Sequence, residues 1–219
     1  MLTAEPSYRA LIFEGWQFPR LVVEQQAFRK RLFVDELGWH LDHDGEIEID
    51  EFDTDFAVYC SLYLGGEIVA SWRAIRTSEE YLGRKIFPQL ATLRPYPRHP
   101  DIWEISRLGA IRHSQRPLSA HCIYGLMFHF AVSRSALSLC GVVSPLHSRN
   151  FERAGIKTRR YGPPQIVGHD AKSRPMSVFF GEIRMSDQQG QALGKMLNPM
   201  KQMELQDDAL VLGRRAIPA

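Results

Sequence analysis

A chain of 219 residues with 27 Lys and Arg against 25 Asp and Glu carries a formal net charge of only +2, too little for nucleic acid to be its main partner. Its 44% hydrophobic and 24% charged residues are ordinary for a globular protein, and its length suits one well-buried core rather than two small ones. Cys60, Cys122 and Cys140 are scattered and form no CxxC pair, which argues against a zinc site or disulfide framework and suits a reducing compartment. With no basic start leading into an apolar run and no apolar stretch of membrane-spanning length, the sequence predicts a cytoplasmic protein without a membrane partner.

In chain order, Phe28, Leu32, Phe33 and Leu37 fall at helical spacing within Leu21–Trp39, with Gly38 as the stop. An acidic stretch, Asp42–Asp55, follows. Phe56, Val58, Cys60, Leu62 and Leu64 alternate as a strand, Gly65-Gly66 makes a tight hairpin, and a second strand covers about Ile68–Ile75. A short helical piece, Glu79–Leu90, leads through a proline-rich connection (Pro95–Pro100) into a central strand, Ile102–Ile111. Leu118–Leu139 reads as a long helix with Leu118, Cys122, Gly125, Phe128, Val132 and Ala136 on one face. A short strand (Gly141–Ser144), a helix of about Ser148–Ala154 stopped by Gly155, a turn at Gly162-Pro163-Pro164 and a strand at Pro175–Ile183 complete the body. This order predicts an α/β sandwich on a mixed sheet, not a doubly wound nucleotide fold. Residues 1–185 are read as a single domain. Residues 186–219 are read as a C-terminal helix and tail packing on it, with Leu193, Met196, Leu197, Met200 and Met203 at helical spacing and a loose end near Arg214.

No GxGxxG follows a strand, and neither GxxxxGK[ST] nor GxSxG occurs. Asp42-His43-Asp44-Gly45 has its glycine too early for a calcium loop, and with His40 it reads as a solvated acidic turn, so no metal site is expected. Four groups of residues stand out instead. They are Arg29, Phe33 and Trp39; Glu48, Asp50 and Asp53; Arg73 followed by Thr77; and Trp103-Glu104-Ile105-Ser106-Arg107. Taken singly, each has an ordinary reading as core aromatic, surface charge, turn cap or structural ion pair.

Taken together and in order, with Phe87 added, they resemble the LuxI-type acyl-homoserine-lactone synthase (autoinducer synthase) family. That family carries an arginine, a phenylalanine and a tryptophan at these spacings, an E-x-D-x-x-D segment, a strand arginine, a later phenylalanine and a W-E-x-S-R strand. The ordered match covers residues 29–107 and continues more weakly through Phe151-Glu152-Arg153-Ala154-Gly155 and Gly162-Pro163-Pro164. The resemblance implies a GNAT-like (N-acyltransferase-type) fold and a definite reaction. The amine of S-adenosylmethionine attacks an acyl thioester, borne by acyl carrier protein or coenzyme A. The methionine carboxylate then closes the lactone and releases methylthioadenosine. S-adenosylmethionine is a substrate here, and no cofactor is implied.

The amine must lose a proton before it attacks, and Glu104 is the candidate to accept or relay it, with Arg73 and Ser106 completing the expected catalytic set. Backbone N–H groups of the central strand are candidate donors to the thioester carbonyl. The second step has a tethered nucleophile, so proximity carries most of it. Asp50 and Asp53 either stabilise the cationic substrate or brace Arg29 and Arg73. Arg107 or Arg29 is expected to hold a carboxylate, Phe33 and Trp39 to wall the adenosine–methionine pocket, and Phe87 to belong to the same site. Glu104 and Arg107 lie on opposite faces of a regular strand, so a shared site requires a bulge between them, in the stretch Glu104–Leu108. The acyl chain is expected between sheet and long helix, lined by Tyr124, Met127, Phe128, Val142, Val143, Phe179 and Phe180.

The strand Ser71–Thr77 departs from the family pattern at Trp72 and Arg76, and Ala110–Pro117 departs as well, which leaves chain preference and carrier open. Arg149, Arg153, Lys157, Arg159 and Arg160 form either a docking face for an acidic carrier or a plain solvated face. Two rivals remain: a GNAT-type N-acyltransferase making a linear acyl amino acid, and a non-catalytic acyl-binding regulator.

Overall fold

The computed structural model describes residues 8–111, 119–188 and 190–209. The chain runs β1 (Tyr8–Glu14), α1 (Pro19–Arg29) with a π-helical continuation over Lys30–Glu36, β2 (Val58–Leu64), β3 (Glu67–Arg76), α2 (Leu82–Ile86), β4 (Ile102–Ala110), α3 (Ser119–Ser133), β5 (Ser138–Val143), α4 (Pro145–Arg153), β6 (Arg159–Arg160), β7 (Gln165–His169), β8 (Pro175–Arg184), α5 (Gly190–Leu197) and β9 (Met203–Asp207). The strands form one mixed sheet ordered β6-β8-β5-β4-β3-β2-β1-β9, with β7 also on β8. The pairs β4–β5 and β1–β9 are parallel. This is the α/β sandwich that the element order predicts.

Alternation along the strands divides the sheet into two environments. Trp72, Trp103 and Ile105 face α3, where the Trp72 and Trp103 rings meet Phe130 edge-on at 5.1 and 5.0 Å. Their neighbours Arg73, Glu104 and Ser106 face the opposite layer, built by α1, the acidic segment and α2. The site is set by this two-residue period.

Four sequence expectations change. Strand β1 was not foreseen, although Ala10 and Ile12 are buried and it pairs with both β2 and β9. Phe56, expected to open the first hairpin strand, lies outside β2 and is exposed. The long helix ends at Ser133, and its buried surface is broader than one stripe, because it packs on the sheet and on α5 at once. Val132, expected on the buried face, is exposed, and Leu118 lies outside the described residues. Gly125 lets α5 approach, since a Cβ there would sit 2.8 Å from the Met196 carbonyl. Finally, Met203 does not continue a helix but starts β9, which Arg134 clamps to α3 through Asp207 at 2.8 Å. No helix among the described residues is long and apolar enough to cross a membrane.

Candidate active site

α1 presents Arg29 at its last turn, directly against the acidic segment. The Arg29 guanidinium donates to Glu48 Oε2 at 2.5 Å and to both Asp53 oxygens at 2.6 and 2.8 Å. Arg73, from β3, donates to Asp50 at 2.5 and 3.0 Å, to Asp53 Oδ1 at 2.7 Å and to Ser106 Oγ at 3.2 Å. Arg107 pairs with Glu48 at 2.7 Å and with Asp50 at 2.8 Å. Tyr59 adds a hydrogen bond to Asp53 at 3.0 Å. Three arginines thus face three carboxylates. Charges this deeply buried are tolerable only because each is matched and hydrogen-bonded. Burial opposes ionisation of Asp53, but the Arg29 hydrogen bonds and the charges of Arg73 and Arg29 outweigh it and hold its carboxyl well below the usual range. Asp50 is thus ion-paired with Arg73 and Arg107, and Asp53 with Arg29 and Arg73. Arg29, wholly buried, has its donors engaged inside the chain.

Strand β4 is bulged where the odd spacing of Glu104 and Arg107 requires it. Arg73 pairs with Ser106, but Ser71 pairs with Gly109, so β4 carries one extra residue opposite Trp72. Arg107 takes up the distortion with φ 51°, a conformation costly for a side chain of this size and held here by its ion pairs. The bulge turns Arg107 to the same side as Glu104 and Ser106. β4 pairs with β5 only from Ile102–Ser138 to Glu104–Cys140. At the end of this pairing a Cβ on Gly141 would lie 2.5 Å from the Ile105 carbonyl, so the approach of the two strands there depends on glycine.

Glu104 is buried and makes no ion pair among the described residues. Its oxygens accept from the backbone N–H groups of Leu82 (3.0 Å) and Gly83 (2.6 Å). Burial pushes its carboxyl up. The Gly83 N–H, the charge of Arg73 and the Leu82 N–H pull it back, and it comes to rest at about 7. A carboxyl balanced there can exchange a proton near neutral pH.

The Phe33 and Trp39 rings stack at 4.8 Å. They are brought together where the chain reverses at Gly38 (φ 71°) after the π-helical segment, so that the Trp39 N–H reaches back to the Phe33 carbonyl at 2.8 Å. They lie beside the bulge, because a Cβ on Gly109 would meet Leu32 at 2.6 Å and Phe33 at 3.0 Å. Phe87 sits apart from the ion network, in the aromatic cluster of Tyr81, Tyr96, Tyr161 and Phe180. The expected acyl-lining residues divide between the faces. Met127 and Phe128 are buried on the α3 face with Tyr124 against them, where the Phe151 ring meets that of Tyr124 at 4.9 Å, tilted by 57°. Phe179 belongs to the same alternation as Ile183, on that side, and is paired with Val143. Val142 and Phe180 lie on the Glu104 side.

The basic residues Arg149, Arg153, Lys157, Arg159 and Arg160 are exposed. Lys157 and Arg159 line a cleft of about 640 Å³ with Glu152, Gly155, Ile156, Thr158 and Asp187. That cleft includes none of the ion-network residues. Sequence reasoning missed Tyr59, Leu82, Gly83 and Gly109. Tyr59 was detectable as a polar-tipped residue in an apolar strand. The other three act through a backbone N–H or through the absence of a side chain, and no residue-type pattern marks them.

The sequence pattern of the autoinducer synthase family matches residues 20–173. The acyl-homoserine-lactone synthase of Acinetobacter nosocomialis is 31% identical over 152 residues, covering 65% of this chain and 83% of the relative. The crystal structure of TofI in a ternary complex with an inhibitor and MTA aligns with a TM-score of 0.72 at 28% identity, covering 88% of this chain and 98% of TofI. BjaI, a coenzyme-A-dependent acyl-homoserine lactone synthase solved with MTA, has a TM-score of 0.80 at 19% identity, covering 95% of this chain and all of BjaI (100%), a likeness of fold. The mixed sheet is thus of the GNAT-like kind that the sequence resemblance implied.

Proposed function

Because the chain belongs to the autoinducer synthase family, and so is an acyltransferase of the acyl-homoserine-lactone synthase type, we propose that it acylates the amine of S-adenosylmethionine from an acyl thioester and then closes the lactone. The observation that carries the residue assignment is the buried carboxyl of Glu104, which makes no ion pair among the described residues and stands beside a charge-balanced ion network. The substrate ammonium gives up two protons on becoming an amide. The first must leave before the nitrogen attacks the thioester carbonyl, and Glu104 accepts it. The second accompanies the departing thiolate, and Glu104, poised at about 7, supports both directions of transfer. The substrate carboxylate oxygen then displaces methylthioadenosine from the adjacent sulfonium-bearing chain, a step that needs positioning more than chemistry.

In this reading Arg73, Ser106, Asp50 and Asp53 hold the geometry, Arg107 closes the bulge, and the Phe33–Trp39 stack walls the nucleoside end. The thioester enters where β4 and β5 part, so Val142 meets its carbonyl end. Val143, Phe179, Tyr124, Met127 and Phe128 then surround the chain beyond, and Phe87 backs the Glu104 side. The exposed basic residues on α4 and β6 suit an acidic carrier. The segment after residue 185 belongs to the same folding unit, a reading supported by β9 pairing with β1. The three cysteines are free and buried, which supports a cytoplasmic setting.

The test is direct. The purified protein is mixed with S-adenosylmethionine and a panel of acyl carrier and acyl-coenzyme A donors, and products are read by mass spectrometry. Lactone with methylthioadenosine is expected from at least one donor class. A linear acyl amino acid, or no product with any donor, rejects the proposal.

A further inference from the structure

α2 has no side-chain cap. Its N-cap residue is Tyr81, which offers no side-chain acceptor to the first turn. The capping oxygen comes instead from another strand, as Glu104 of β4 takes the Leu82 and Gly83 N–H groups on its two oxygens. The contact works only with glycine at 83. A Cβ there would lie 2.4 Å from Phe180 Cε2 and 2.8 Å from Glu104 Oε1. Gly83 has no left-handed φ, so it is there for space and not for backbone freedom.

We propose that Leu82 and Gly83 are positioning residues for Glu104: their two backbone N–H groups aim its carboxylate and stabilise the ionised form that receives the substrate proton. The inference rests on the base assignment above and deepens it. Other groups also face Glu104. Arg73 on β3 favours its charge and Asp50 on the acidic segment opposes it. Tyr81 beside α2, Tyr96 on the proline-rich connection and Cys140 on β5 complete the surround, all pushed up by burial. Arg73 is already shared with Asp50, Asp53 and Ser106, so the two amides are the donors committed to Glu104 itself.

One substitution removes a single donor and leaves the helix. Leu82 is the first helical residue, where proline is well tolerated, and Tyr81 before it is extended at φ −140° and ψ 158°, as a residue preceding proline must be. Leu82→Pro therefore deletes the N–H, while Leu82→Ala deletes the side chain and keeps the N–H. The assay is the pH profile of kcat/KM on the intact chain, paired with an infrared titration of isotope-labelled carboxyls that does not depend on turnover. A lost hydrogen bond to a buried carboxylate moves its titration up by about one pH unit. The acid limb of Leu82→Pro should move up by that amount, with the same displacement in the infrared band, while Leu82→Ala stays with the parent. Gly83→Ala, which crowds the same contact, should follow Leu82→Pro. If Leu82→Pro and Leu82→Ala titrate alike in both readouts, the positioning role is wrong. If Glu104→Gln keeps full turnover and the same acid limb, the base assignment itself has failed, a separate outcome.

Discussion

Replacing Asp53 by asparagine should be strongly destabilising, and the structure says why. Asp53 receives both terminal nitrogens of Arg29 at 2.6 and 2.8 Å, Arg73 Nη1 at 2.7 Å, the Tyr59 hydroxyl at 3.0 Å and the Asp50 N–H at 3.0 Å. Asparagine keeps the shape, but it removes one of three negative charges opposite three arginines, two of them fully buried, and turns an N–H₂ toward their donors. Removing one partner of a buried ion pair costs about 3–5 kcal/mol, a large part of the roughly 5–15 kcal/mol that holds a domain folded. The measurement is urea unfolding with linear extrapolation at neutral pH, with Tyr59→Phe as a graded companion expected to lose about 1 kcal/mol. The pH dependence adds a second check. The folded carboxyl of Asp53 lies below its unfolded value, so its stabilisation is complete above the unfolded value near 4 and drains away as the pH falls further. The parent and Asp53→Asn curves should therefore approach each other in acid. A neutral-pH gap below about 1 kcal/mol, the size of an exposed pair, would refute the view that this network is a buried, charge-balanced unit.

Glu104→Gln should lower kcat by about 10²–10⁴, the usual worth of a positioned base, and abolish the acid limb near 7, read from initial rates across pH. The same change should alter stability in the opposite sense. The folded Glu104 carboxyl binds its proton more tightly than the unfolded one, at about 7 against 4.5, so parent stability falls as the pH rises through that window, by about 3 kcal/mol at full extent. Glu104→Gln should lack that fall in urea titrations at pH 5 and 8. Gly109→Ala places a methyl 2.6 Å from Leu32 and 3.0 Å from Phe33. It should cost about 1–3 kcal/mol and raise KM for S-adenosylmethionine more than it lowers kcat, with the Trp39 fluorescence altered.

The alternation of β2, β3 and β4 and the charges of the acidic segment were legible in the sequence because each reflects a local period or a residue type. The bulge was legible too, because Glu104 and Arg107 cannot share a face across an odd spacing unless the strand breaks its period. β1 was not, since Tyr8–Glu14 mixes Arg9 and Glu14 into a short run whose burial comes from both neighbours, β2 and β9. β9 itself was hidden by Met203, whose spacing from Met196 and Met200 suits a helix until a parallel partner outweighs that local preference. The pairing of Asp50 and Asp53 with Arg29 and Arg73 was not legible, because it depends on where those arginines arrive from α1 and β3, a tertiary fact that no spacing encodes.

The ion network also ties together parts of the site that look independent. Arg29 ends the helix whose π-helical continuation carries Phe33 and leads to Trp39, and Arg73 and Arg107 belong to β3 and β4, the latter carrying Glu104. Glu48 binds both Arg29 and Arg107, while Asp53 binds both Arg29 and Arg73. The aromatic wall and the bulged strand are therefore held by shared carboxylates, and a substitution at either bridge should move both. Glu104 stands outside this lattice, on amides from α2 instead of an arginine. In the proposed reading, that separation lets its proton come and go without breaking an ion pair of the network.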